Sequence, residues 1–208
     1  MSALTESNSV ADAITDLDLS NLYSVIDKDN VHGLNLAVPE DAQAIIKPWD
    51  QREDTSKFAD SGVDDQVIIH VPFAQNVRLK SIILKLGRGE STPQRLRIYA
   101  NHPNIIDFED VETTKPQVDM HLLTGEASAT EYPLRVAAFT SITSVSVFLS
   151  HSVGEDTSRI FFMGFRGDTT SPRKDGTQKL EIPASNAADA PLVDRVTEKA
   201  AGQQTTAR

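Results

Sequence analysis

The sequence predicts an all-β protein: an antiparallel β-sandwich of jelly-roll type, with a short N-terminal helix and a flexible C-terminal tail. Three observations predict it. Between residues 66 and 167, apolar residues recur in short runs with the period of two expected of strands. Gly, Pro, Asn and Asp clusters break the runs apart. No helical crossover stands between them, so neighbouring strands should pair antiparallel.

Residues 1–15 are polar, small and acidic, and are expected to be disordered. The sandwich domain is then expected to span residues 16–167. In "DLDLSNLYSVIDKDN" the apolar residues Leu19, Leu22, Tyr23 and Ile26 fall at helical spacing. Asp16, Asp18 or Ser20 can serve as N-cap, which predicts a short helix ending near Asp29–Asn30. An extended segment is expected near Leu34–Leu36. Residues 38–65 read as a loop punctuated by Pro39, Pro48 and Gly62. Trp49, the only tryptophan, and Phe58 are expected to anchor that loop, because such rings bury large area.

The strand runs follow. "QVIIHV" sets Val67, Ile69 and Val71 on one side. "NVRLKSIILKL" begins with Val77 and Leu79 on one face and continues with Ile82, Leu84 and Leu86 on the other, which predicts a bulge or burial on both faces. "QRLRIYA" alternates Leu96, Ile98 and Ala100 with Arg95, Arg97 and Tyr99. "VDMHLL", "YPLRVAAF", "ITSVSVFLS" and "RIFFMGFRG" complete the set, with Val145, Val147 and Leu149 sharing one face. Residues 168–208 read as a flexible tail carrying one short helix at 191–200. Pro191 suits its first turn, and Leu192, Val193, Val196 and Ala200 lie at helical spacing.

The chain has 208 residues and a net charge of −10. Residues 168–208 hold Asp168, Asp175, Glu181, Asp189, Asp194 and Glu198 against Arg173, Lys174, Lys179, Arg195, Lys199 and Arg208, so the acidic excess lies ahead of them. An acidic body repels phosphate backbones and anionic lipid, so neither nucleic acid nor membrane is an expected partner. A basic patch on a protein partner fits better. There is no cysteine, which removes disulfides, thiolate metal sites and thiol nucleophiles together. The N-terminus has neither the basic start nor the apolar stretch of a secretory signal, and cytoplasm and nucleus are the expected address.

Several segments, "DDQVIIHVPFAQNVRLKSIIL", "PQRLRIYANHPNIIDFED" and "RIFFMGFRG", resemble the PITH domain in the same order, from about Leu19 to about Gly167. Gly33, Leu34 and Asn35 match the family's early segment, and Ser61, Asp65, Gln66 and Phe73 the lead into the first core strand. Pro93, Asn101, Pro103, Asp107 and Phe108 match its central signature, and Pro116 the loop after it. Phe139, Gly154, Thr157, Ile160 and Gly167 match the last strands. The resemblance implies a galactose-binding-like sandwich and a non-enzymatic role tied to the 26S proteasome. Some members follow a thioredoxin module and carry cysteines near the early segment. This chain has Val31 and Gly33 there, so no redox role is expected.

The stretch "LRIYANHPNIIDFED" poses the functional question, because it ends a strand and then crowds Asp107, Glu109 and Asp110 around Phe108. Catalysis would need two carboxylates buried at different pKa values, and the sequence shows no nucleophile elbow, phosphate loop or HExxH motif. Calcium at the three acids is chemically possible, but the glycine-bearing ligand loop is absent. His32, His70, His102, His121 and His151 show no metal-ligand spacing.

The preferred reading is a capped turn. Asn101 and Asn104 bond nearby backbone, Pro103 fixes φ, Asp107 caps, and Phe108 points inward to plug the sandwich end. Asn35 and Gly167 join these as structural positions. Glu109, Asp110 and Glu112, with Trp49, Glu155 and Asp156, are the candidate interaction surface. The expected function is a monomeric, non-catalytic protein-interaction module without cofactor or metal, contacting proteasome subunits. The alternative is a carbohydrate- or small-ligand-binding sandwich, with Trp49 and Tyr132 as the available aromatic platforms.

Overall fold

The computed structural model describes residues 20–154 and 156–170. The expected disorder at 1–15, the caps Asp16 and Asp18, Glu155, and the tail beyond residue 170 with its helix at 191–200 lie outside the described residues. Among the described residues eight strands are formed: β1 (His32–Leu34), β2 (Ala59–Asp60), β3 (Val67–Leu86), β4 (Pro93–Ala100), β5 (Val118–His121), β6 (Thr130–Pro133), β7 (Ile142–Ser152) and β8 (Arg159–Thr169). Two short α-helices join them among the described residues, α1 (Asp41–Ala44) and α2 (Phe108–Thr113).

β3 is the spine of both layers. Its first part, Val67–Pro72, pairs with β7 and β1, and β7 continues to β4 and β5. Its second part, Val77–Leu86, pairs with β8 and β6, and β8 continues to β2. Every pairing is antiparallel. The two runs "QVIIHV" and "NVRLKSIILKL" are thus one strand. Pro72 lacks an N–H to continue the ladder, and the register against β7 shifts before Val77. A second shift lies between Leu79 and Ser81 opposite β8, and it moves the apolar set from Val77 and Leu79 to Ile82 and Leu84 on one face. Ile83 is buried as well, so the bulge and two-sided burial occur together.

The main core fills the space between the layers. Val67, Ile69, Val71, Val145, Val147 and Leu149 meet Leu79, Ile82, Leu84, Ile160, Met163 and Phe165 there. Each such side chain, fully buried, stabilises the fold by about 1.5–3 kcal/mol relative to exposure. A second, smaller cluster lies on the outer face of the β3–β7–β4 layer: Ile68, Tyr99, Ile106, Val111 and Phe148. The middle of that layer is therefore covered on both sides, and Ile68, Tyr99 and Phe148 are the residues that break the apolar–polar alternation of its strands.

Two expectations are corrected. The N-terminal helix is replaced, within the described residues, by two 3₁₀ turns, Tyr23–Val25 and Lys28–Asn30. The backbone donors an α-helix would use internally are drawn elsewhere. The Leu22 N–H donates to Phe165 O (3.0 Å), the Asp27 N–H to Pro72 O (3.0 Å) and the Tyr23 N–H to the Asn21 side chain (2.9 Å). The segment 38–65 is also not plain loop. It holds α1, a 3₁₀ turn at Trp49–Gln51 and β2, with Ala42, Ile45 and Ile46 in the core.

Candidate functional site

The acid-rich corner between β4 and β5 begins where Asn101 adopts a left-handed backbone, φ 53°. Asn tolerates that region because its side chain bonds locally. Its Nδ2 donates to Ser141 O (2.7 Å), and its Oδ1 accepts from the Thr143 N–H (2.8 Å) and hydroxyl (3.0 Å). The side chain thus ties the end of β4 to the start of β7. Pro103 is exposed in the following turn, where the His102 ring contacts Asn104 O at 2.9 Å.

Asp107 is the N-cap of α2. Its carboxylate accepts the Asp110 N–H (2.8 Å), and Asp110 in return accepts the Asp107 N–H (3.3 Å), a reciprocal capping box. Asp110 is therefore engaged in the cap, which differs from the expectation that it stands free with Glu109 and Glu112. Phe108 also departs from expectation. It is half-buried and packs edge-to-face on Phe148 at 6.4 Å, on the outer face of the sheet, so it does not plug the sandwich end. The inward residues of the corner are Ile106 and Val111. The Val111 carbonyl accepts from the Tyr99 hydroxyl (3.2 Å), and burial raises the Tyr99 pKa above the ordinary phenol value.

A second polar knot surrounds Asn35, also left-handed at φ 57°. Its amide donates to Asp64 Oδ1 (2.6 Å) and Gln66 O (2.7 Å), and its oxygen accepts the Val63 N–H (2.9 Å). Beside it, Asp65 accepts the Ser152 N–H (2.6 Å), and the Ser158 hydroxyl donates to Asp65 O (2.6 Å). Gly167 donates to Ser20 O (2.8 Å) and lies so close to Arg78 that an added Cβ would collide with its carbonyl oxygen.

Glu109, Glu112 and Asp156 are exposed, and Glu155 lies outside the described residues. Trp49 is half-buried beneath two guanidinium groups, Arg52 at 4.2 Å and Arg166 at 4.5 Å from its ring centre. Tyr132 is buried, and its hydroxyl accepts the Leu123 N–H (3.2 Å). Neither offers the free ring face a sugar platform needs. Among the described residues, no three His, Asp or Glu side chains are grouped so as to hold a metal ion. His32 and His70, distant in sequence, are brought opposite each other across β1 and β3.

Spacing did not reveal a cleft of about 510 Å³ at the end of β3, walled by Phe58, Phe161 and Leu86 and by Lys85, Arg88 and Arg159. Arg159 donates from Nε and Nη2 to the two oxygens of Asp60 (2.6 Å each) and stacks on Phe58 at 4.3 Å, and Phe58 meets Phe161 edge-on at 6.1 Å. The Asp60 carboxylate raises the Arg159 pKa. Lys85, nearly buried, donates to Glu53 O (2.8 Å) and Glu53 Oε2 (2.7 Å), and this bond holds the Glu53 carboxyl below its usual range. One signal was present in the sequence: Lys85 interrupts the apolar run "SIILKL", where a charge must find a partner.

Comparison with known proteins places the chain. A family model described as the PITH domain matches residues 12–184. PITH domain-containing protein CG6153 of Drosophila melanogaster is 32% identical over 170 residues, 81% of this chain and 80% of the fly protein. PITH domain-containing protein 1 of Homo sapiens is 34% identical over 156 residues, 74% of this chain and 72% of the human protein. Among solved structures, the C-terminal domain of a chitobiase from Bacteroides fragilis aligns with a TM-score of 0.50 at 16% identity, covering 71% of this chain and 99% of that one. The CBM32-1 and CBM32-2 domains of Clostridium perfringens ZmpB align with a TM-score of 0.50 at 11% identity, covering 72% and 37%. At such identities the likeness shows the fold alone, a galactose-binding-like jelly roll.

Proposed function

The chain belongs to the PITH domain family, and on that premise we propose that it is a non-catalytic protein-interaction module whose partner is the 26S proteasome. The observation that carries this reading is the family match over residues 12–184. The geometry supports it. Asp107 and Asp110, the acids best placed for chemistry, are bonded to each other's backbone. Glu109, Glu112 and Asp156 stay exposed on a chain of net charge −10, a surface suited to a basic patch on a protein. In this reading the protein acts as a monomer in cytoplasm and nucleus, and binds neither nucleic acid nor membrane.

Affinity purification of the full chain from cell extract, at low and at moderate salt, tests the proposal. Proteasome subunits should co-purify, less abundantly at the higher salt because exposed charges are screened. Their absence at both salts would overturn it. A tail-less version belongs after Thr170, because β8 runs to Thr169 and Asp168 pairs with Lys80 at 2.8 Å.

A further inference from the structure

We infer that the cleft at the start of β8 is a binding site for a carboxylate carried on an apolar stem. The site goes beyond the proteasome reading and does not depend on it. Its volume, about 510 Å³, is within the range of small-ligand pockets. Three cations line it in a protein whose overall charge is −10.

The charge balance of the walls selects the ligand. Lys85 is matched by Glu53 and Arg159 by Asp60. Arg88 is exposed, and no hydrogen bond or ion pair holds it among the described residues. Among the described residues one positive charge is therefore left over, and a monoanion balances it. Donors remain to receive one: the whole Arg88 guanidinium, Nη1 of Arg159, and the third Lys85 proton. Planar guanidinium groups suit a carboxylate, which can take two parallel bonds.

The remaining walls ask for an apolar body. Leu86, Phe58 and Phe161 face the same cleft. Arg159 already covers a face of Phe58, which favours a slim apolar stem over a stacked sugar ring. The same chemistry occurs in a free aryl- or alkyl-carboxylic acid and at a polypeptide C-terminus ending in an apolar residue.

Calorimetric titration of the full chain at low ionic strength tests this site. The probes are 3-phenylpropanoate, a short peptide ending in a free C-terminal Phe, the amide of each, and inorganic phosphate. At least one acid should bind saturably, with a Kd of about 1 mM or below, and its amide about tenfold more weakly. If the small acid alone binds, the natural source is a metabolite; if the peptide binds at least as well, it is a chain terminus. Arg88→Ala should weaken the acid about tenfold and leave the amide unchanged, and Arg88→Lys should recover part of the loss. The inference fails if neither acid binds, if the amides bind as well as the acids, if phosphate binds more tightly than both, or if Arg88→Ala changes nothing. Arg88 is exposed and bonded to nothing described, so its replacement tests binding without disturbing the fold.

Discussion

The corner at residues 101–113 and the cleft at the start of β8 are built from the same materials, charged side chains set against aromatic rings. They come out opposite. In the corner, Asp107 and Asp110 close on each other's backbone, Tyr99 closes on the Val111 carbonyl, and Ile106 and Val111 are buried beneath. In the cleft, Glu53 and Asp60 hold the walls, yet Arg88 has no bonded partner among the described residues and the space beside the paired rings stays open. Local charge density, the feature that drew attention to "DFED", does not mark a site. What separates the two regions is whether backbone and neighbours complete the bonding of each polar group.

The largest expected effect tests the claim that the corner is closed by packing. Ile106→Ala should cost about 2–4 kcal/mol in urea unfolding, because Ile106 is fully buried in the outer cluster and its truncation removes that burial and leaves a cavity. A loss under about 0.5 kcal/mol would mean that the outer cluster contributes little and that the corner is a surface like any other.

Asn101 comes next. Asn101→Ala should cost about 2 kcal/mol, because it removes the ties to Ser141 and Thr143 and leaves the Cβ in a left-handed backbone without the local bonds that offset its cost. Asn101→Gly should recover about 1 kcal/mol of that, the strain portion alone. Equal losses for the two variants would show that strain is absent and the hydrogen bonds account for everything.

The acids sharpen the comparison further. Asp107→Ala should cost about 1 kcal/mol as a lost cap, whereas Glu109→Gln should stay within about 0.5 kcal/mol. Arg88→Ala in the cleft should likewise leave stability within about 0.5 kcal/mol, since Arg88 is exposed and has no bonded partner among the described residues. If Glu109 proved as costly as Asp107, the distinction between bonded and free acids would fail.

The two regions were unequally legible in the sequence. The sandwich could be read because alternation is local: Val145, Val147 and Leu149 point one way whatever they face. The Asp107-to-Asp110 spacing is local too, and a capping box follows from it. Phe108 misled, because a ring next to a cap looks the same in sequence whether it enters the core or lies on the outside of a sheet. The cleft was out of reach. Its walls stand at positions 58, 85, 86, 88, 159 and 161, and they meet only because Leu86 pairs with Ile160 after a register shift at Lys85. The His32–His70 pairing depends in the same way on a register that spacing does not encode.

That histidine pair supplies the smallest effect and a way to titrate the outer face of the sheet apart from the lowered carboxyls. His70 is on the face of β3 that bears Ile68, two residues along from the corner's cluster, with its ring 3.0 Å from the Ser146 hydroxyl. Burial, and then the charge of His32, lower its pKa. The unfolded chain therefore binds a proton that the folded chain refuses. Stability should be full above about pH 6.5 and should fall as the pH drops from there through the lower folded value. Glu53, beside the cleft, is lowered by its bond from Lys85, so its contribution is present above about pH 4.3 and is lost only as pH falls through a value below that. Thermal midpoints measured between about pH 7.5 and 3 should show two separate declines, the second shared by Glu53 with Asp119 and Asp54, whose carboxyls are likewise held below their usual range by their hydrogen bonds. His70→Gln, which keeps a polar group near Ser146, should flatten the first and spare the second. If the slope between pH 7 and 5 is unchanged in that variant, the outer face of the sheet is more open to water than its packing implies, and the contrast between a closed corner and an open cleft loses its electrostatic support.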